Sequence, residues 1–400
     1  MITNFIKSLD KLFKKTDIIV EILVMTSIVF YIIGISFNYS TAMSFPFAAR
    51  IARFLIRSSF MMIIFTTMYT ILTMQFDIKV TTILIIIGFL LAINYYYARD
   101  GRLMLVYCYS ISSKNIKPEK IMNVALASIT FILIFVVSLR FLNIIPDITE
   151  YMTRSDGSVR NGLGFYVANV ASYHFLTITL LYIFVRKEKI TIVEMIVMYI
   201  INFVIFNLTK TRNSFLATNI AITLTILIKY IKSEKFHKIF GIISTASYTL
   251  GAASIFLLTL FYGTGNELAL KLNQLLTGRL RLAWDGLNTT FGVTLLGQNI
   301  STYRGGYSVI DSSYINCLVV YGIIFFILML IFFTTFVHFA IKAGDKYLVI
   351  VLFVIAYYSV FDGAWLMFGY DPFTAVYISI MCTAYPRLKD KFYAREIYSF

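Results

Sequence analysis

Residues 313–337 read SYINCLVVYGIIFFILMLIFFTTFV, 25 positions without one charged side chain. A bilayer core about 30 Å thick is crossed by about 20 apolar residues in a helix. The stretch therefore predicts a membrane-spanning helix, entered just after Asp311 and left before Lys342. Working outward by the same criterion, apolar spans fall at 18–37, 58–76, 79–97, 101–113, 121–141, 166–185, 190–208, 214–231, 238–262, 347–366 and 372–386, which with 313–337 makes twelve. The chain has 400 residues, of which 59% are hydrophobic and 14% charged, and a mean hydropathy of +0.81. No soluble domain of this length has such values. The expected fold is an all-α polytopic membrane protein, a single integral domain over 1–400. Its connections are short except for two, 142–165 and 263–312. The span at 101–113 is the shortest, about 20 Å as a helix.

Charge is sorted across these spans. On the twelve-span topology, 18 of the 20 lysines lie on one side and 12 of the 15 arginines on the other. Lysine marks alternate loops (Lys114, Lys117, Lys120; Lys187, Lys189; Lys229, Lys232, Lys235, Lys238; Lys342, Lys346; Lys389, Lys391). Basic loops are retained in the cytoplasm. That side is therefore read as cytoplasmic, with both termini on it and the cluster at Lys7, Lys11, Lys14 and Lys15 read as a retained signal anchor. Arginine accumulating outside runs against the same rule. Its guanidinium fork suits bidentate binding of phosphate, so the sorting points to an outward-facing site for a phosphorylated substrate. The net charge of +15 sits in short loops beside apolar spans, which favours lipid headgroups and phosphates over nucleic acid as partners.

The long loop 263–312 opens with an amphipathic pattern, Leu268, Leu272, Leu275 and Leu276, broken at Thr277 and Gly278. A second short helix follows with Arg279, Arg281, Trp284 and Asp285. Arg281 reads either as an i,i+4 ion partner of Asp285 or, with Arg279, as a grip on a lipid diphosphate. The remainder, GQNISTYRGGYSVIDSSY (297–314), carries Asn299, Tyr303, Arg304, Tyr307, Asp311 and Tyr314. Such tyrosines, amides and carboxylates serve a sugar site or, equally, an interfacial loop. Asp311, just before a span, is a candidate general base. The loop 142–165 holds Arg154 and Arg160. Arg212 lies in LTKTRNSFL (208–216), a turn of a few residues beside Lys210. Arg50, Arg53 and Arg57 share one face of an amphipathic surface helix. His174 reads as a hydrogen-bonded packing residue. Asp362 and Asp371 complete a site or cap helices. Cys108, Cys317 and Cys382 have no metal or disulfide spacing. Walker, zincin, dinucleotide and serine-elbow motifs are missing from the sequence, so no metal or cofactor is expected. No internal repeat of the transporter kind is seen.

Several segments, in order, resemble the Wzy-type polysaccharide polymerases, which are related in design to the O-antigen ligases. RNGLGFYVAN matches at Arg160, Leu163, Gly164, Phe165 and Asn169, with Ala168 where that family often has proline. LTKTRNSFL matches at Arg212. LLTGRLRLAWDGL is similar to the arginine-bearing helix of the large external loop. VIDSSYINCLVVYGIIFF matches at Asp311, Ser312, Tyr314, Tyr321 and Gly322. The resemblance implies a GT-C-like bundle in a bacterial cytoplasmic membrane, acting in capsule or O-antigen synthesis. It would join undecaprenyl-diphosphate-linked oligosaccharides, the acceptor hydroxyl attacking the anomeric carbon of the donor. Arg160, Arg212, Arg279, Arg281 and Arg304 would hold the diphosphate. Asp311 or Asp285 would serve the acceptor, and Tyr303, Tyr307, Asn299 and Tyr314 would line the sugar site. A chain-length regulator and a flippase would be partners. A ligase and a lipid-linked oligosaccharide flippase are the alternative readings, the absence of histidine in 263–312 favouring polymerase over ligase.

Overall fold

A computed structural model describes residues 2–73, 76–146, 157, 159–290, 292–300, 310–363 and 366–386, with side chains from Ile18 onward except at 289 and 290. The chain is all-helical. Among the described residues there is no strand, only an isolated bridge between Ser40 and Phe165. Fourteen α-helices are described: α1 Ile2–Asn38, α2 Pro46–Leu72, α3 Ile78–Ala98, α4 Arg102–Ser112, α5 Pro118–Phe141, α6 Asn169–Arg186, α7 Ile192–Thr209, α8 Arg212–Tyr230, α9 Glu234–Gly263, α10 Glu267–Leu275, α11 Arg279–Asp285, α12 Ser313–Lys342, α13 Lys346–Tyr358 and α14 Tyr377–Ala384.

Seven of these are long and apolar enough to cross a membrane: α1 from Ile18, α2, α3, α5, α7, α9 and α12. Helices that are apolar all round belong either to a core or to a lipid face, and the seven divide accordingly. Of an 18-residue apolar stretch, only 17% is buried in α3 and in α7, against 56% in α12, so α12 is central and the other two are peripheral. The remaining helices are shorter or more polar. α6 and α8 mix Ser, Thr and, in α6, His into their apolar runs and bury most of them. α13 and α14 have 13 and 8 residues. The short segment at 101–113 forms α4, 11 residues and about 16 Å long, packed inside the bundle. It returns antiparallel to α3: the Tyr107 hydroxyl donates to Leu84 O at 2.6 Å, and Lys114 beyond its end sits 4.0 Å from the ring of Phe76, ahead of the start of α3.

The lysine-bearing loops meet at one end of the bundle. Lys187 bonds Asp345 at 2.8 Å and reaches Glu119 at 3.5 Å, Lys120 pairs with Glu21, and Lys229 donates to Glu188 O and Ile190 O. The arginine-rich turns meet at the other end. There, Thr41 N–H donates to Gly164 O at 2.9 Å and Tyr166 N–H to Tyr39 O at 2.9 Å, tying the α1–α2 turn to the segment before α6. The arginine-bearing stretch 45–57 is not a separate surface helix. It runs unbroken into the following span as α2, started by Pro46 at its first position, because no breaker separates Arg57 from the apolar run. Arg50, Arg53 and Arg57 remain exposed on it.

α12 is broken at Gly322, where φ is 86° and ψ 172°. Backbone freed inside a membrane protein needs replacement partners, and the segment 292–300 supplies them. Ile323 N–H donates to Thr294 O at 2.9 Å, Ile324 N–H to Leu295 O at 3.3 Å, and Gln298 N–H to Val320 O at 2.9 Å. Asn94 of α3 donates to both Leu296 O and Tyr321 O. A Cβ on Gly322 would lie 2.5 Å from Gly297 N and 2.6 Å from Leu295 O. Gly322→Ala adds this clash to a backbone region reserved for glycine, costing about 1–3 kcal/mol or more. A clear fall in the melting temperature of the purified variant is expected, and an unchanged one would show that the break relaxes freely.

Candidate functional site

Residues far apart in sequence converge at the arginine end. Arg160 lies across the α7–α8 turn, its Nε donating to Thr209 O at 3.0 Å and its Nη2 to Thr211 Oγ1 at 3.2 Å. Beside it, Asn161 N–H donates to Leu208 O at 2.9 Å. The last carbonyls of a helix lack partners within it, and Arg160 and Asn161 satisfy two of those of α7. Lys210 ends α7 in the left-handed conformation at φ 52°, which reverses the chain so that α8 begins at Arg212 two residues later. The Arg212 side chain is exposed and forms no hydrogen bond or ion pair among the described residues. A cation at the N-terminus of a helix is opposed by the helix dipole. Its place there suits an anion held jointly by the guanidinium and the first N–H groups of α8.

The next residue, Asn213, points inward and donates to Asp362 Oδ2 at 2.7 Å. Asp362 is 3% exposed. It also accepts from the Tyr173 hydroxyl of α6 and pairs with Arg279 at 3.2 Å. Arg279 Nη1 donates to Phe361 O at 2.6 Å as well, and its Nε faces Asp311 Oδ2 at 3.3 Å. One guanidinium therefore bridges two carboxylates from separate segments. The Asp362 carbonyl in turn accepts from the N–H and hydroxyl of Ser313 at the head of α12. Arg279 stays firmly protonated; burial opposes its charge, but Asp362 and Asp311 outweigh it. Burial raises the Asp311 carboxyl above the usual aspartate range, Arg279 pulling against this and the Asp362 charge adding to it.

No protein-family model matches the chain, and neither does any curated protein or solved structure. Among the described residues, no three His, Cys, Asp or Glu side chains stand together to hold a metal ion.

Of the residues singled out from sequence, Arg160, Arg212, Arg279 and Asp311 are brought to one place, with Asp362 at its centre. Arg279 differs from expectation. Its charge is committed to two carboxylates, so it organises the site instead of standing ready for a diphosphate. Arg281 is exposed on the next turn face, its backbone N–H capped by Asn273 Oδ1 at 3.1 Å. Asp285 closes α11, about 9 Å along the axis from Arg279. Tyr314 is fully buried; its hydroxyl donates to Ala356 O at 3.0 Å and abuts Gly251, so it packs the core and does not line an open site. Asn299 is half-buried in the segment docked on α12. Tyr303, Arg304, Tyr307 and Arg154 lie outside the described residues. His174 joins α6 to α1, its Nε2 2.7 Å from Ser36 Oγ and its Nδ1 2.8 Å from Val170 O, a hydrogen-bonded packing residue as its isolation suggested. Asp371 caps the turn after it, accepting from Phe373 N–H at 3.3 Å.

Two consequences are measurable. Arg279→Gln leaves Asp362 buried without its cation, a change that costs about 3–5 kcal/mol. The double variant Arg279→Gln/Asp362→Asn should recover much of this in a thermodynamic cycle, and additive losses would deny the coupling. Asp311 sets a pH dependence. Between the ordinary value of about 3.9 and its raised one, the folded chain holds a proton that the unfolded chain has released. Stability therefore falls as pH rises through that window. Melting temperature against pH should show this decline in the wild type and lose part of it in Asp311→Asn.

Proposed function

We propose that the chain is a membrane glycosyltransferase of the polysaccharide-polymerase kind, joining polyprenyl-diphosphate-linked oligosaccharides at the outer membrane face, with the lysine end in the cytoplasm. The observation that carries the reading is the meeting of an uncommitted guanidinium, Arg212, with a carboxylate–arginine–carboxylate network at one end of an apolar bundle. The twelve-span topology belongs to the same proposal, with α4, α6, α8, α13 and α14 completing the crossings begun by the seven long helices.

In this reading the acceptor sugar hydroxyl attacks the anomeric carbon of the donor. The new glycosidic bond forms as the bond to the polyprenyl diphosphate breaks, and the hydroxyl proton leaves to a base. Negative charge grows on the departing diphosphate, where fixed donors stabilise the transition state more than the ground state. Arg212 supplies that charge, backed by the first N–H groups of α8. Arg160 fixes the turn that presents it. Asp311 is the member of the network open enough to meet a substrate hydroxyl, with 28% of its side chain exposed against 4% for Asp362. Its raised proton affinity suits a group that takes a proton late in the reaction. Arg279 and Asp362 position it.

The test is the size distribution of surface polysaccharide and lipid-linked intermediates in cells lacking the chain, complemented with wild type or Arg212→Lys. Single repeat units on lipid at the outer face are expected without the chain. Arg212→Lys, made in normal amounts, should fail to restore the ladder of sizes, because a point charge does not replace a fork. Repeats retained on the inner face would instead mark a flippase, and long unattached lipid-linked polymer a ligase.

A further inference from the structure

A groove of about 460 Å³ runs along α3, α4, α12 and α14, on elements that contribute nothing to the Arg212–Asp362 cluster except the head of α12. Ile87, Leu91, Leu103, Phe325, Leu328 and Phe332 line it, among other apolar residues. Its polar lining groups are already satisfied within the protein. The Tyr107 hydroxyl donates to Leu84 O, Ser110 to Thr374 O, and Thr335 to Ile331 O while meeting the Tyr377 hydroxyl at 3.0 Å. The groove therefore offers nothing to water and a continuous apolar wall to a hydrocarbon chain.

Its arginine end is of a different character. Tyr95, Tyr96 and Tyr97 are exposed there, in the manner of an aromatic belt at a membrane interface. Arg99 follows in the left-handed conformation, φ 55°, with its guanidinium 5.0 Å from the Tyr96 ring centre and no carboxylate partner among the described residues. Arg99 stands about 12 Å beyond Leu91 along α3. Arg102, next to Leu103, is by contrast engaged with both oxygens of Asp100, which fixes the corner and leaves Arg99 as its uncommitted cation. An apolar seat beneath one available guanidinium in an aromatic belt fits a lipid with an anionic head.

We infer that this groove holds a second polyprenyl diphosphate, its tail along α3 and α12 and its head at Arg99. The inference rests on the proposed reaction, which consumes two lipid-linked substrates and so needs two diphosphate sites. The first is the Arg160–Arg212 turn, built from α6, α7 and α8; the groove lies on another flank and is the second.

The test is native mass spectrometry of the purified full chain with a long-chain polyprenyl diphosphate, and separately with phosphatidylglycerol. The wild type should bind two polyprenyl diphosphates. Ile87→Trp and Leu328→Trp each fill the groove from lipid-facing positions that tolerate bulk, and each should bind one. Adding Arg212→Gln to either should abolish that one, and Arg99→Gln should weaken the second equivalent roughly tenfold. Two equivalents retained in both tryptophan variants would overturn the inference. So would displacement of the groove ligand by phosphatidylglycerol at equal concentration, which would mark an ordinary bilayer lipid. A wild type binding one Arg212-dependent equivalent refutes the second site alone. A wild type binding none refutes the proposed function with it.

Discussion

A carboxylate buried at the end of an apolar bundle must be neutralised where it stands, and the arrangement around Asp362 follows from that requirement. An isolated buried charge is costly enough that it either takes a proton or acquires partners. Asp362 has acquired them from three directions: Tyr173 on α6, Asn213 on α8 and Arg279 on α11. Its backbone carbonyl holds the first turn of α12. Four helices and the irregular chain after α13 are thereby set relative to one another by a single residue. The exposed Arg212 and the half-buried Asp311 take their places from it.

The second constraint concerns backbone. Within an apolar bundle, peptide groups that leave a helix keep their hydrogen-bonding requirement. α12 leaves helical geometry at Gly322, and the chain answers by laying 292–300 against the gap, with Asn94 donating to carbonyls on both sides. The close approach requires glycine on both partners, since a Cβ at Gly297 would come 2.4 Å from Val320 O. The long loop is thus not a separate cap on the bundle. Its first half folds back as the helices α10 and α11, the latter delivering Arg279. Its segment 292–300 is docked on α12.

Composition made the membrane class legible, and short charged turns made most of the site legible. Arg160, Arg212, Arg279 and Asp311 stood out because charge beside an apolar span needs a reason, and they do meet. What sequence could not show was how those charges are shared. Nothing in RLRLAWDGL reveals that Arg279 will be claimed by carboxylates 32 and 83 positions later. Tyr173 and Asn213 gave no signal, since neutral polar residues near helix ends are common. The pair Asp100–Arg102 gave no signal either, and Gly322, a matched position of the family resemblance, did not show from sequence that it breaks the helix. The number of crossings was least legible, because buried helices such as α6 and α8 need less apolarity than lipid-facing ones, and α13 already ends at Tyr358, with a five-residue 3-10 helix, Pro372–Val376, leading into the eight residues of α14.

The separation of lysine from arginine also has more than one cause. At the lysine end the ammonium groups make point contacts, to Glu21, Asp345 or a carbonyl, of the kind a compact charge on a flexible stem can make anywhere. At the other end Arg102, Arg160 and Arg279 each use two or more nitrogens on fixed partners. A planar fork does this and an ammonium does not. Part of the arginine excess is therefore architectural, holding together a half-buried polar end that lysine could not organise. The case for a bound anion rests on a smaller set, the guanidinium groups that the architecture leaves uncommitted. Arg212 is the one that stands beside a network of carboxylates able to handle a proton, which sets it apart from the many other arginines of the same face.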